Sequence, residues 1–158
     1  MTLNNPVNPY FSPDAIMLDE NNIIYTDLSG NGEYAILQFK KSETEPKLLY
    51  KLKDAKTKIE ICLNENQLFI GEFGLDNNSV GSKIYQISIP FTDINKKTLI
   101  YQSGLNDIGQ MICNYNSNKL MFIKTLIEKE DYITEAYEID LTTKALEAKS
   151  NQKSLTSI

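Results

Sequence analysis

The chain has 158 residues, of which 41% are hydrophobic and 23% charged, with a formal net charge of −5 and no histidine. That length suits a single domain with a sizeable core, and that composition excludes wholesale disorder. The negative balance argues against a nucleic-acid surface, which needs a basic stripe, and the missing histidine excludes Ser-His-Asp and Cys-His catalysis in their usual form as well as histidine-ligated zinc.

Residues 1–13, with Pro6, Pro9 and Pro13 among three asparagines, read as an extended lead-in. They hold neither a charged n-region nor an apolar run, so no signal peptide or membrane insertion is expected. The default expectation is cytoplasmic, or extracytoplasmic for a chain trimmed from something longer. Ala15 to Leu18 is a short apolar run, and Asp19-Glu20-Asn21-Asn22 is turn chemistry. Ile23 to Leu28 and Tyr34 to Phe39 are strands flanking the tight turn Ser29-Gly30-Asn31-Gly32, and Lys47 to Tyr50 is a fourth. Next, Ile59, Ile61 and Leu63 alternate with Glu60, Cys62 and Asn64, the period of a half-buried strand. Leu68 to Phe73, Ile84 to Ile89 and Thr98 to Tyr101 follow, the last matching Lys47 to Tyr50. A third set runs Met111 to Asn114, Leu120 to Leu126, Ala136 to Leu141 and a weak Lys144 to Ala148. The stretch Ile127 to Thr134 reads as a charged loop, and residues 149–158 as a polar tail that frays.

Three strings anchor an internal repeat: Asn21 to Thr26, Asn66 to Gly71 and Asn118 to Ile123. The expected fold is therefore all-β: three four-stranded antiparallel propeller-like blades, at about 14–54, 59–104 and 109–148, within a domain spanning 14–148. The alternative is an antiparallel β-sandwich or barrel.

The pattern Leu68-Phe69-Ile70 with Ile84-Tyr85-Gln86-Ile87-Ser88-Ile89, repeated as Leu120-Met121-Phe122 with Ala136-Tyr137-Glu138-Ile139-Asp140-Leu141, resembles blades of bacterial TolB-like and related β-propellers. Phe11-Ser12-Pro13-Asp14 looks like the Trp-Ser-Pro-Asp element of those blades, but stands one strand ahead of its register and is missing from the other two copies. The resemblance implies a propeller fold with ligand sites on the face shared by the second-to-third-strand loops and the blade-to-blade connections. It implies no particular activity.

Propellers usually close with about four to eight blades, and an arc of three leaves edges and an apolar face open at each end. Two copies closing a six-bladed ring, a longer propeller of which this is part, or sandwich packing would each resolve that. The expected partner is a second copy or a protein that completes the ring.

Asp27, Ser29 and Asn31 place side-chain oxygens at alternate positions beside glycines, as in the opening half of a calcium loop. The twelfth position, where an EF-hand needs a bidentate carboxylate, holds Gln38, and a glycine-rich hairpin accounts for the same residues. No other cofactor is indicated. On the implied ligand face stand Asp54, Asp76, Asn77, Asp107, Glu128, Glu130 and Asp131, which could hold a cation, work as acids and bases, or be a solvated acidic surface. Tyr25, Tyr50, Tyr85, Tyr101 and Tyr137 are either a binding stripe or packing partners. Cys62 and Cys113 fall on opposite faces of equivalent strands and are expected to be separate half-buried thiols, not a disulfide framework. The reading that unites these features is a non-catalytic protein-binding or self-assembling module. Its alternatives are a carboxylate-based, metal-assisted hydrolase or isomerase, and an extracytoplasmic sensor fragment of a longer propeller protein.

Overall fold

The computed structural model describes residues 14–29, 31–52, 57–74, 81–103, 107–113, 118–128 and 131–154. The first blade comprises β1 (Ala15–Asp19), β2 (Asn22–Leu28), β3 (Tyr34–Lys40) and β4 (Lys47–Lys51). The second comprises β5 (Thr57–Asn64), β6 (Gln67–Gly74), β7 (Lys83–Ser88) and β8 (Thr98–Gln102). The third comprises β9 (Asp107–Cys113), β10 (Lys119–Glu128), β11 (Asp131–Asp140) and β12 (Leu146–Ser154). Each is an antiparallel sheet whose strands lie in chain order. The three are propeller-like blades, as the repeat predicts.

The blades stack in sequence, so each has an upstream face towards the preceding blade and a downstream face towards the next. Strand alternation assigns residues to those faces. In β6, Leu68 and Ile70 join Ile24, Ile36, Ile59 and Ile61 in a core between blades one and two. Phe69 and Phe73, from the other side of the same strand, join Met111, Leu120, Phe122 and Ile139 in a second core. Residues 68–74 are accordingly buried without a break. That explains why Leu68 to Gly71 is a continuous apolar run where β5 alternates: both faces are covered, and each buried Phe or Leu contributes roughly 1.5–3 kcal/mol. Glycine is required at position 71, because a Cβ there would run into the buried ring of Phe73.

One irregularity recurs in all three blades. The pairing of third and fourth strands shifts between Ile36 and Leu37, between Ile84 and Tyr85, and between Ala136 and Tyr137. Leu37, Tyr85 and Tyr137 are equivalent, each paired with the same second-strand position (Tyr25, Ile70 and Phe122). A bulge at one fixed place increases the local twist of each sheet in the same way, so the stacked blades keep matching shapes.

The third blade differs from its sequence reading. Its strands are longer: Asp107 to Gln110 belong to β9 instead of a connection, and Ile127 to Thr134 is mostly hairpin, with Glu128 opposite Asp131. The last strand runs from Leu146 to Ser154, so the polar tail does not begin at 149. Backbone ladder bonds form whatever the side chain, and a long partner such as β11 extends them through a polar segment. Residues 141–143 form the turn that leads into this strand.

The cysteines are also corrected. Cys62 and Cys113 are joined by a disulfide that spans 51 positions. They do lie on opposite faces of their blades, and in a stack that is the condition for meeting: the downstream face of blade two looks at the upstream face of blade three. In the chain-entropy picture a loop of that size is worth about 4 kcal/mol. Replacing both cysteines by serine is expected to lower the unfolding free energy by about 2–4 kcal/mol in a denaturant titration. No change in midpoint would mean the bridge contributes nothing.

Candidate functional site

The chemistry that holds the blades together lies at their seams. β1, β5 and β9 are edge strands, so every second backbone N–H points away from the sheet and needs a partner. At the first seam the Asp14 carboxylate accepts the Ile61 N–H at 3.0 Å. At the second, the Glu60 carboxylate accepts the Met111 N–H at 2.6 Å. The two bonds are copies of one device. Ala15, Ile61 and Met111 are equivalent by their pairing with Tyr25, Ile70 and Phe122, and each acid immediately precedes one of these positions in its own blade.

Asp14 is anchored in turn. Its N–H donates to Thr26 Oγ1 and its carbonyl accepts the Thr26 N–H, both at 2.9 Å. Burial, reinforced by the nearby Glu60 charge, pushes the Asp14 carboxyl up despite the Ile61 N–H. Glu60 is held by Lys58, whose ammonium also lies 5.8 Å from the Phe73 ring centroid. The Asp14 element that looked out of register in the sequence is thus the first of the two seam bonds.

The first seam also contains a polar cluster. Glu72 continues the row Leu68, Ile70 on the upstream face of β6, where a third hydrophobe would be expected, and is buried. Its Oε1 accepts the Tyr50 hydroxyl from β4 of the preceding blade at 2.6 Å. The Lys97 ammonium lies 4.2 Å from the Tyr50 ring centroid and 4.5 Å from that of Tyr85. Burial, then the bond to Glu72, pushes the Tyr50 phenol far above its ordinary value; burial likewise raises Tyr85 and lowers Lys97, the latter opposed by the Glu72 charge. Each group satisfies another, which suits a latch between blades.

Most tyrosines serve this packing. Tyr101 and Tyr137 flank Phe122, at centroid distances of 4.6 and 5.3 Å, within the second core. Tyr25 stands on the upstream face of blade one, where no blade is described.

The acidic ligand face proposed from sequence is only partly placed. Asp54, Asp76, Asn77 and Glu130 lie outside the described residues. Asp107, Glu128 and Asp131 are placed by backbone register alone, opposite Leu126, Asp131 and Glu128 respectively. In the candidate calcium loop, Asp27 is exposed and its Oδ1 accepts the Leu28 N–H, while Ser29 Oγ accepts the Glu33 N–H at 3.2 Å. Gly32 takes φ 76°, which the hairpin requires, and Asn31 is exposed beside it. Among the described residues no group of three or more Cys, Asp or Glu could hold a metal ion, and no helix is long and apolar enough to cross a membrane.

The two ends of the stack differ. On the upstream face of blade one, Phe39 is 37% exposed, whereas its equivalents Ile87 and Ile139 are 8% and 1% exposed inside the seams. Ile23 is only half-buried there, although its equivalents Leu68 and Leu120 are fully buried. The downstream face of blade three carries Ile112, Met121 and Ile123 on β9 and β10, with Ala136 beside them on β11. Its outer half is charged: Glu138 pairs with Lys119 at 2.6 Å and Lys149 at 3.2 Å, and Lys149 also holds Glu147. Both cations hold the Glu138 carboxyl below its usual range.

Part of a solved peptidase structure shares this fold. Oligopeptidase B from Leishmania major aligns with a TM-score of 0.56 and 18% identity over 89% of this chain and 20% of its own. A prolyl endopeptidase structure aligns at 0.41 and 9% identity, over 92% of this chain and 27% of that one. The chain therefore spans about a fifth to a quarter of the length of the solved structures it matches. No protein-family model matches the sequence, and no curated protein matches it.

The seam bonds can be tested by substitution. Asp14→Ala is expected to cost about 1–3 kcal/mol, because it leaves the buried Ile61 N–H without an acceptor. Asp14→Asn keeps an acceptor and should cost less at pH 7. Because the Asp14 pKa is raised on folding, its contribution is fully present below its unfolded value of 3.8 and is lost as pH rises through the folded value. Chemical denaturation from pH 3 to 7 should therefore show the Asn variant gaining on the parent as pH rises; a constant difference would contradict this account.

Proposed function

We propose that this chain is a non-catalytic β-propeller module that binds a protein partner, or a second copy of itself, through the end faces of its blade stack. The observation that carries the reading is the contrast between Phe39, 37% exposed, and its equivalents Ile87 and Ile139, 8% and 1% exposed. The same repeat position is core wherever a neighbouring blade is described, and solvent-facing where none is. Apolar surface presented this way marks an interaction site. The TolB-like strand pattern supports the same reading, since a propeller completes its core by adding blades. Sedimentation velocity and light scattering on the purified chain, from micromolar to near-millimolar concentration, should show association. A monomer throughout that range would remove the self-assembling half of the proposal.

The Cys62–Cys113 bridge favours a second conclusion, that the protein works in an oxidising, extracytoplasmic compartment. Disulfides form and persist there and are rare where glutathione keeps thiols reduced. Acid-quenched alkylation of the protein in its native cells should leave both cysteines unmodified until reductant is added. Full alkylation without reductant would place it in a reducing compartment.

A further inference from the structure

The two internal seams are built alike, and their construction specifies what a third would look like. At both, an acceptor side chain on or immediately before the first strand meets the first-strand N–H of the next blade: Asp14 to Ile61, then Glu60 to Met111. The register places Gln110 at the third such position, since Gln110 pairs with Ile123 as Glu60 pairs with Gly71. Gln110 is exposed and keeps a side-chain carbonyl able to accept. At the other end of the stack, Ala15 is the equivalent of Ile61 and Met111, and ladder alternation turns its N–H away from β2. The bridge supplies a second marker. Cys62 pairs with Phe69 as Ile112 pairs with Met121, and Cys113 pairs with Leu120 as Met17 pairs with Ile23. Ile112 is 45% exposed and Met17 66% exposed, large hydrophobes standing where the second seam has a half-buried covalent link.

We infer that the downstream face of blade three receives blade one of a second copy in the internal register, with Gln110 accepting the Ala15 N–H and Ile112 packing on Met17. The inference rests on the self-assembling form of the function proposed above and deepens it to a particular register. A second copy fits because the chain supplies both halves: an acceptor with its hydrophobe at one end, a donor with its hydrophobe at the other. Such a contact is head-to-tail, and two copies close it into a ring with two equal seams. The contact centres on the inner strands. Glu138, Glu147 and Lys149 on the outer two strands, with Lys119 at the start of β10, already neutralise one another, so the third seam is narrower than the internal two.

The test uses the full chain carrying Met17→Cys and Ile112→Cys, oxidised mildly at concentrations where light scattering reports association. Covalent two-copy species are expected on non-reducing electrophoresis. Their yield should be at least several-fold that of a control carrying Met17→Cys and Ser88→Cys, Ser88 being an exposed residue of blade two. Association without cross-linking above the control would overturn the register while leaving assembly standing. A monomer with only control-level cross-linking would overturn both. A cysteine-free check is Ile112→Lys, which should abolish association, whereas Leu99→Lys, at an equally exposed position on blade two, should leave it intact. Association that survives Ile112→Lys would overturn the inference independently of any cross-link.

Discussion

The structure depends on a backbone constraint: the first strand of each blade is an edge, and its outward N–H groups need acceptors. The preceding blade answers with one carboxylate per seam, Asp14 for Ile61 and Glu60 for Met111. These bonds do more than satisfy a donor. Hydrophobic packing between two sheet faces is non-directional and tolerates sliding, whereas a carboxylate aimed at one particular N–H does not. The seam bond therefore sets the register in which Leu68 and Ile70 meet Ile24 and Ile36, and in which Phe69 and Phe73 meet Leu120 and Phe122.

That register governs the remaining chemistry. Once blade three is seated on blade two, Cys62 and Cys113 have Cα atoms 5.8 Å apart, within reach of a bridge. Once blade two is seated on blade one, the Tyr50 hydroxyl reaches Glu72 and the Lys97 ammonium lies against the rings of Tyr50 and Tyr85. A buried carboxylate in a hydrophobic row would be costly alone. Here the Tyr50 hydroxyl from β4 and the Lys97 charge just ahead of β8 offset that cost, so the cluster also disfavours any other pairing of blades. The stack is asymmetric at its ends, apolar upstream and charged on the outer half downstream, so any further contact must be directional.

Much of this was legible in the chain. The recurrence of Asn21 to Thr26, Asn66 to Gly71 and Asn118 to Ile123 marks three repeats, and alternation at Ile59, Ile61 and Leu63 marks a half-buried strand. The seam bonds were hidden by turn lengths. Five residues separate the paired Met17 and Ile23, four separate Leu63 and Leu68, and six separate Cys113 and Leu120. Aligning the repeats on their asparagine turns therefore misplaces the first strands, and Asp14, Glu60 and Gln110 do not fall in one column. The charged hairpin at Glu128 and Asp131 misled for another reason: polarity marks exposure, while strand pairing needs only a backbone partner.

The sequence by itself determined the number of blades, the order of their strands and which residues alternate towards a core, because these follow from side-chain periodicity and turn chemistry within about 50 residues of chain. Tertiary structure decided which faces meet. Cys62 and Cys113 point to opposite sides of equivalent strands, a relation that separates them within one sheet and joins them across two stacked sheets. Glu72 is similarly an interruption in a hydrophobic strand until Tyr50 arrives from another blade. In both cases the deciding partner comes from a different blade, and local pattern carries no information about which face that blade will cover.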